Sequence, residues 1–388
     1  MNYVQEFIRI FFNSIVSWSV CLKTLNSKKM IITSTQNISY NFNSKYFYEF
    51  LTRNPERYDF DVYYVINNKE KRQELNDKYK TNRFIESTSL SGALFCLNAK
   101  YWVSSTFELP VNSLYRNENR IVLHLGHGVP LKKIGLNEEN IPFLKRINRI
   151  IRTRQFTDIV CYSERMKNDM VKTFANPKAN YIYLGQPRND SLISDNQQIR
   201  DKLRQITNAD VNAKFILYAP TWRPYATTKF FPFNVDANQL ERFLKENNIF
   251  VLTRSHPFYP SFIDGDLKSL SNIINFDSSV APEISDYLAG FDGLITDYSS
   301  IYIDFLVMGR KVAFIPYDYT EYKEKVGFCY PYEKITPGMK IMDSNDLESF
   351  LASDDTLYSN ERADIMKMTN TKAVGNCAEI AEYLKGRR

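Results

Sequence analysis

Histidine is scarce in this 388-residue chain: there are three, His124, His127 and His256. Cysteine is nearly as sparse. The five, Cys21, Cys96, Cys161, Cys329 and Cys377, are scattered, odd in number and without a Cys-x-x-Cys pair. That argues against a disulfide framework and a cysteine-built zinc site, and makes a reducing compartment the default. His-Leu-Gly-His (124–127) is a poor metal pair, because Gly126 disfavours a helix and no carboxylate is close in sequence. The uncharged stretch 10–22 is shorter than the roughly 20 residues a bilayer crossing needs, and no small-residue cleavage site follows it. There is no fixed-period repeat, no nucleic-acid motif and no carboxylate-rich metal motif.

Apolar residues make up 44% of the chain and charged residues 24%, the balance of a folded globular protein. The length exceeds one ordinary core and suits two domains. Net charge is +6, from 50 Lys+Arg against 44 Asp+Glu. Mild basicity fits a phosphorylated substrate, a membrane surface or nucleic acid, and does not choose among them. Part of the excess sits at Lys145, Arg146, Arg149, Arg152 and Arg154, and part in the tail at Lys385, Arg387 and Arg388. At the N-terminus, Phe7, Ile8, Phe11, Phe12, Ile15 and Trp18 fall near one helical face, with Lys23, Lys28 and Lys29 following. A helix packed on the protein and a helix lying in a membrane interface both fit; the single apolar face favours the second.

Short β-branched runs alternate with longer amphipathic segments. Strands are expected at 30–33, 62–66, 101–104, 121–125 and 159–162, and again at 215–219, 250–253, 273–276, 294–296 and 312–315. Helices are expected at 44–52, 140–153, 165–173, 237–247, 282–289 and 301–308, the last closed by Gly309. Strands separated by helices imply parallel sheets with crossover connections. The pattern restarts near residue 214, after the polar stretch 191–212. The expected division is an amphipathic membrane-associating segment 1–28, a Rossmann-like domain 29–195 and a second Rossmann-like domain 196–388. Two doubly wound domains keep ligands beyond the carboxyl ends of their strands, here in a cleft between them.

Polar clusters fall where that architecture needs them. In 293–305, GLITDYSSIYIDF, hydroxyls and one carboxylate separate a strand from a helix. Ser299 or Ser300 either caps a buried helix or joins the helix amides in holding a phosphate. Ala-Pro-Thr-Trp-Arg-Pro (219–224), Thr-Arg-Ser-His-Pro (253–257), Gly-His-Gly-Val-Pro-Leu-Lys-Lys (126–133) and Gly-Gln-Pro-Arg-Asn-Asp (185–190) each follow a strand candidate. His127 and His256 lie just after strands in opposite halves, so both are expected to face one cleft. His124 ends an apolar strand and reads as structural.

These motifs, in this order and spacing over about 120–338, resemble the family of CDP-glycerol glycerophosphotransferases of teichoic acid and capsule polymer synthesis. The resemblance implies an α/β architecture of GT-B type, with two Rossmann-like domains. It implies a CDP-activated polyol donor, a lipid-linked saccharide or polymer acceptor, and release of CMP. By resemblance His127 is the general base on the acceptor hydroxyl, with Gly128 and Lys132 in supporting positions. His256 contacts the donor diphosphate with Arg254 beside it, and Thr296, Ser299 and Ser300 hold phosphate. Trp222 and Arg223 sit on the donor side; Trp222 packs on base or ribose, or in the core. Arg188 is a phosphate ligand or the partner of Asp190. Asp297 orients its neighbours and Asp304 holds the loop. Magnesium is left open as a companion of the diphosphate. The chain departs from the family at Gly126, where tryptophan is usual, at Val129, usually threonine, and at Pro224, usually acidic. All three surround the acceptor side. A peripheral position at the cytoplasmic face of a bacterial membrane follows, with anionic lipid as a partner and no nucleic acid. The alternatives are a GT-B glycosyltransferase using a nucleotide sugar and a non-catalytic nucleotide-binding module.

Overall fold

The short apolar runs form two parallel sheets in the computed structural model, which describes residues 3–193, 196–223, 225–255, 261–354 and 356–387. The chain divides into two compact units: Met1–Val129 with Lys133–Asp190 and Asn370–Arg388, and Pro130–Lys132 with Ser191–Thr369.

The first unit is built on β1 (Asn26–Thr33), β2 (Asp61–Val65), β3 (Phe84–Ile85), β4 (Ala99–Ser104), β5 (Ile121–His124), β6 (Asp158–Cys161) and β7 (Asn180–Tyr183). Its order is β3-β2-β1-β4-β5-β6-β7, with every pair parallel. The second carries β8 (Lys214–Tyr218), β9 (Thr228–Lys229), β10 (Ile249–Thr253), β11 (Ser261–Phe262), β12 (Ile273–Asn275), β13 (Gly293–Thr296), β14 (Lys311–Phe314) and β15 (Met339–Lys340). Its main sheet runs β12-β10-β8-β13-β14-β15, and β9 pairs separately with β11. Both main sheets wind outward in two directions from a central strand, so the order reverses between β1 and β4 and between β8 and β13. At such a reversal the connecting helices diverge to opposite faces and leave a crevice for ligand. β5, β6, β13 and β14 are buried along their whole length, as parallel strands covered on both faces must be.

All ten expected strands are present within a few residues. Three other expectations change. Residues 282–289 do not form one helix but two 3-10 turns, Ile284–Asp286 and Leu288–Gly290. Glu283 caps the first through the Ser285 amide, and Leu203 and Ile199 crowd the space beside Gly290. The polar stretch after residue 191 is largely the helix Gln197–Thr207, pinned to the second unit by Arg200–Asp292 at 2.8 Å. Finally, the chain after Thr369 belongs to the first unit. Helix Asn376–Lys385 buries Cys377, Ile380, Ala381 and Leu384 there, and both oxygens of Asp190 accept from the amides of Asn376 and Cys377 at 2.9 and 2.8 Å.

Helix α1 (Tyr3–Val20) is amphipathic the reverse way round for a globular protein. Glu6, Ser14 and Ser17 are buried with Ile10, whereas Val4, Ile8, Phe11, Phe12, Ile15 and Trp18 are exposed, Phe11 at 61% and Trp18 at 65%. Polar contacts hold it down: Glu6 accepts from Arg152 at 2.8 Å and Asn112 at 3.0 Å, and Ser14 Oγ accepts from Leu114 N at 2.9 Å. No helix among the described residues is long and apolar enough to cross a membrane.

Candidate active site

In the first unit the loops leaving β1, β4 and β5 meet at the order reversal. Helix α2 (Phe42–Arg53) follows β1, Ser105 follows β4 and His127 follows β5. Half-buried His127 places Nδ1 3.1 Å from the Ser105 carbonyl oxygen. A carbonyl only accepts, so Nδ1 carries the hydrogen and Nε2 keeps the free lone pair. Burial lowers the imidazole pKa below the ordinary 6.5, and the Arg188 charge adds to this, against the opposing effects of the Ser105 carbonyl and Glu108. His127 is therefore neutral near pH 7. Gly128 has φ +130°, a conformation essentially reserved for glycine, which turns the chain immediately after the imidazole. Gly126, at φ +72°, has no room for a Cβ, because the Tyr162 hydroxyl would lie 2.1 Å from it.

Several residues around this site carry no recognisable motif. Asn43, fully buried, donates to the Gly126 carbonyl at 2.7 Å and the Tyr162 hydroxyl at 3.0 Å, and accepts from the Arg188 amide at 3.1 Å. Ser44 and Ser105 exchange hydrogen bonds: Ser44 N to Ser105 Oγ at 2.6 Å and Ser105 N to Ser44 Oγ at 2.9 Å. The only sequence signal was the density of serine and asparagine after β1 and β4. Arg188 is itself buried and Asp190 caps helix Asn376–Lys385, so the 185–190 motif is also a structural knot. His124 is structural: buried among Phe107, Phe156 and Phe174, it accepts the Gly126 amide on Nδ1 at 3.0 Å.

In the second unit the loops after β8 and β13 are tied at the corresponding reversal. Thr296 Oγ1 donates to the Ala219 carbonyl at 2.7 Å, and Asp297 accepts the Thr221 amide at 2.8 Å and the Tyr298 amide at 2.5 Å. Asp297 also takes Arg223 Nη1 at 2.7 Å. Asp318 receives Arg223 Nε at 2.7 Å and Nη2 at 2.8 Å, and the hydroxyls of Tyr298 and Tyr225 at 3.0 and 3.1 Å. The Arg223 guanidinium has no exposed area and lies about equally close to the rings of Tyr298, Tyr317 and Tyr322. Burial opposes its charge, but the two carboxylates outweigh that and hold its pKa above the ordinary arginine value. Thr296, expected on phosphate, and Arg223, expected on the donor side, here form the floor beneath the turn.

Above that floor, Ser299 and Ser300 are half-buried. Ser300 makes no side-chain capping bond, and Ser299 makes only a 3.5 Å contact to Ile301 N. The helix they open, Ile301–Phe305 with Asp304 buried in it, is a single α turn continued by a 3-10 turn to Gly309, so its dipole is small. Among the described residues Lys132 brings an ammonium to the Asp297–Arg223 cluster. Segment Pro130–Lys132 packs in this unit, with Leu131 O accepting from Cys329 N at 2.8 Å. Lys132 Nζ lies 5.5 Å from the Tyr322 ring centroid, and burial pushes it down to about 8, Asp297 opposing and Arg223 adding to the shift. Arg254 Nη1 holds the Ala281 carbonyl at 2.5 Å and the Phe276 carbonyl at 3.2 Å, fixing the loop after β12. Trp222 is half-buried beside Arg223. His256, with Pro257 and Pro224, lies outside the described residues. Among the described residues no group of three His, Cys, Asp or Glu could hold a metal ion, and the carboxylates nearest the site hold Arg223.

A family model described as CDP-glycerol:poly(glycerophosphate) glycerophosphotransferase matches residues 15–377. The teichoic acid poly(glycerol phosphate) polymerase of Bacillus spizizenii is 28% identical over 356 residues, which cover 87% of this chain and 86% of that protein. The teichoic acid ribitol-phosphate polymerase TarK of Staphylococcus aureus is 26% identical over 347 residues, 86% of this chain and 64% of that one. Among solved structures, the wall teichoic acid polymerase TagF superposes with a TM-score of 0.76 at 20% identity, covering 99% of this chain and 97% of that chain. That likeness is one of fold, two Rossmann-like domains of GT-B type.

Proposed function

We infer the activity from one premise: the chain belongs to the CDP-glycerol:poly(glycerophosphate) glycerophosphotransferase family. It is a transferase that moves a polyol phosphate from a CDP-activated donor to a hydroxyl of a polymeric glycan acceptor and releases CMP, in teichoic acid or capsule-like polymer synthesis. Glycerol phosphate is the first candidate for the transferred group and ribitol phosphate the second, following the named relatives.

The observation that carries this reading is the state of His127. Its Nδ1 is engaged, its Nε2 is free and its charge is suppressed by burial and Arg188. That is what a general base for a hydroxyl requires, an effect worth about 10²–10⁴-fold. The acceptor oxygen attacks the phosphorus bearing the polyol while His127 Nε2 takes its proton. The bond from that phosphorus to the bridging oxygen breaks, and CMP leaves with the electron pair. Such a step is accelerated chiefly by alignment and by neutralising oxygen charge. The donor phosphates lie at the hydroxyls of Ser299 and Ser300 and the ammonium of Lys132, supported by the Asp297–Arg223–Asp318 floor. Arg254 positions the loop after β12, and His256 is assigned to the diphosphate by resemblance.

The enzyme works at the inner face of the bacterial membrane on a lipid-linked acceptor. The reversed polarity of α1 supports this, since its exposed apolar face matches a helix lying in the headgroup boundary. The basic cluster 145–154 contributes less than its count implies: Lys145 and Arg149 pair with Glu138 at 2.9 and 2.6 Å, and Arg152 pairs with Glu6. Arg146 and Arg154 stay exposed.

A donor screen read by mass spectrometry tests the proposal. With a lipid-linked acceptor, CDP-glycerol or CDP-ribitol should yield CMP and an acceptor heavier by one polyol phosphate. Release of a nucleoside diphosphate from a nucleotide sugar, with no reaction from any CDP-polyol, would establish a glycosyltransferase instead.

A further inference from the structure

Three consecutive residues at the start of α2 build the surroundings of His127. The Phe42 ring centroid lies 5.5 Å from that of the imidazole. Asn43 grips the backbone just before His127 through the Gly126 carbonyl, and grips the amide of Arg188 with its other end. Ser44 holds Ser105 through two amide–hydroxyl bonds, and Ser105 supplies the carbonyl that receives His127 Nδ1–H. Ring plane, loop position and tautomer are each set from one helical turn.

We propose that the first turn of α2, Phe42–Asn43–Ser44, is the positioning element of the acceptor-side base, holding His127 in its Nδ1–H tautomer with Nε2 directed to the acceptor hydroxyl. The inference rests on the reading of His127 as that base.

Backbone geometry supports it. Asn41, the N-cap, is extended at φ −152°, and Phe42, the first residue of α2, takes φ +54°. A bulky aromatic residue in the left-handed region is strained, and such strain persists where surrounding structure over-determines it, commonly at functional sites. Glycine would satisfy the backbone without strain. What phenylalanine adds is the ring against the imidazole. Asn43 matters for a second reason. In this chain Gly126 and the Tyr162 hydroxyl occupy the position before His127, and Asn43 bonds both. Among the described residues the charges that act on His127 are those of Arg188 and Glu108, with His124 coupled to it, and none of the three belongs to this turn.

Two substitutions in the full-length protein separate positioning from mere structure. Phe42→Gly removes the ring and relieves the left-handed strain. The melting temperature should hold or rise, while kcat falls about 10²-fold and the donor KM stays within about twofold. Phe42→Tyr, which keeps the ring, should restore kcat. Ser44→Ala releases Ser105. In ¹⁵N-histidine spectra, assigned with His127→Asn, the single Nδ1–H signature of His127 should become a mixture, and the acid limb of kcat should shift. An unchanged kcat in Phe42→Gly overturns the proposal, as does activity lost only in step with melting temperature, or a Ser44→Ala protein that keeps one tautomer. If the wild type turns over no CDP-polyol, the functional reading fails, and the tautomer measurement alone decides the positioning of His127.

Discussion

The Nδ1 atom of His127 lies 3.1 Å from the carbonyl oxygen of Ser105, and this contact fixes which nitrogen is free for chemistry. Because the partner is a backbone acceptor rather than a carboxylate, it selects the tautomer without adding a strong negative charge. Burial, with the Arg188 charge adding to it, lowers the imidazole pKa below its ordinary value against the opposing pull of that carbonyl.

That has a direct consequence for pH dependence. A base works when unprotonated, so kcat/KM should fall as pH drops through the pKa of His127, and this limb should lie below pH 6.5. Arg188→Met removes a positive charge that disfavours the imidazolium, so the limb should move upward. A pH–rate profile of both proteins checks the direction; a limb that moves down, or stays, contradicts the assignment.

The proposed donor contact of Lys132 makes a prediction for the other end of the pH range. With its ammonium held down to about 8, donor affinity should weaken as pH rises past that value. Lys132→Arg keeps a charge throughout and should flatten the decline, while Lys132→Gln should bind donor weakly at every pH. Calorimetric titration with CDP-glycerol between pH 7 and pH 9.5 gives the comparison.

The buried ion cluster makes a stability prediction. Asp297→Ala leaves the Arg223 guanidinium in the interior with one carboxylate partner and two backbone amides without an acceptor. Removing one member of a buried pair typically costs about 3–5 kcal/mol. Denaturant unfolding of the second unit should show a loss of that order. A loss below about 1 kcal/mol would mean that the cluster is open to water.

The exposed face of α1 makes a prediction of the opposite kind. Phe11→Asp with Trp18→Asp should leave the melting temperature nearly unchanged, because neither side chain is buried. Sedimentation with vesicles containing anionic lipid should nevertheless fall at least about tenfold, since burying a large apolar side chain contributes roughly 1.5–3 kcal/mol. Retention of vesicle binding would point to another surface.

Much of the fold was legible because parallel strands advertise themselves as short, continuous apolar runs. Leu294, Ile295, Val312 and Phe314 read as strands and are fully buried in them. The turns that follow were legible as well, since Asp297, Arg223 and His127 interrupt those runs with chemistry no core needs. What stayed hidden depends on partners distant in sequence. Nothing around Asn43 announces Gly126 and Arg188 as its partners, and nothing around Asp190 announces the amides of Asn376 and Cys377. The return of the C-terminal helix was lost for that reason. The 282–289 segment misled because its opening proline suits a helix, whereas Glu283 caps only a single tight turn. Thr296 and Arg223 lie in the turns after β13 and β8 as expected, but hydroxyl and guanidinium face inward, an orientation composition does not encode.

The proposed function makes His127 the base that drives transfer of a polyol phosphate from a CDP donor. The most direct test is single-turnover CMP release from CDP-glycerol, with acceptor present, in wild-type and His127→Asn proteins. The expected result is acceptor-dependent CMP from the wild type and release slowed at least about 10²-fold in the variant, with donor affinity retained. Equal rates in the two proteins, or a nucleoside diphosphate as the released product, would contradict the account.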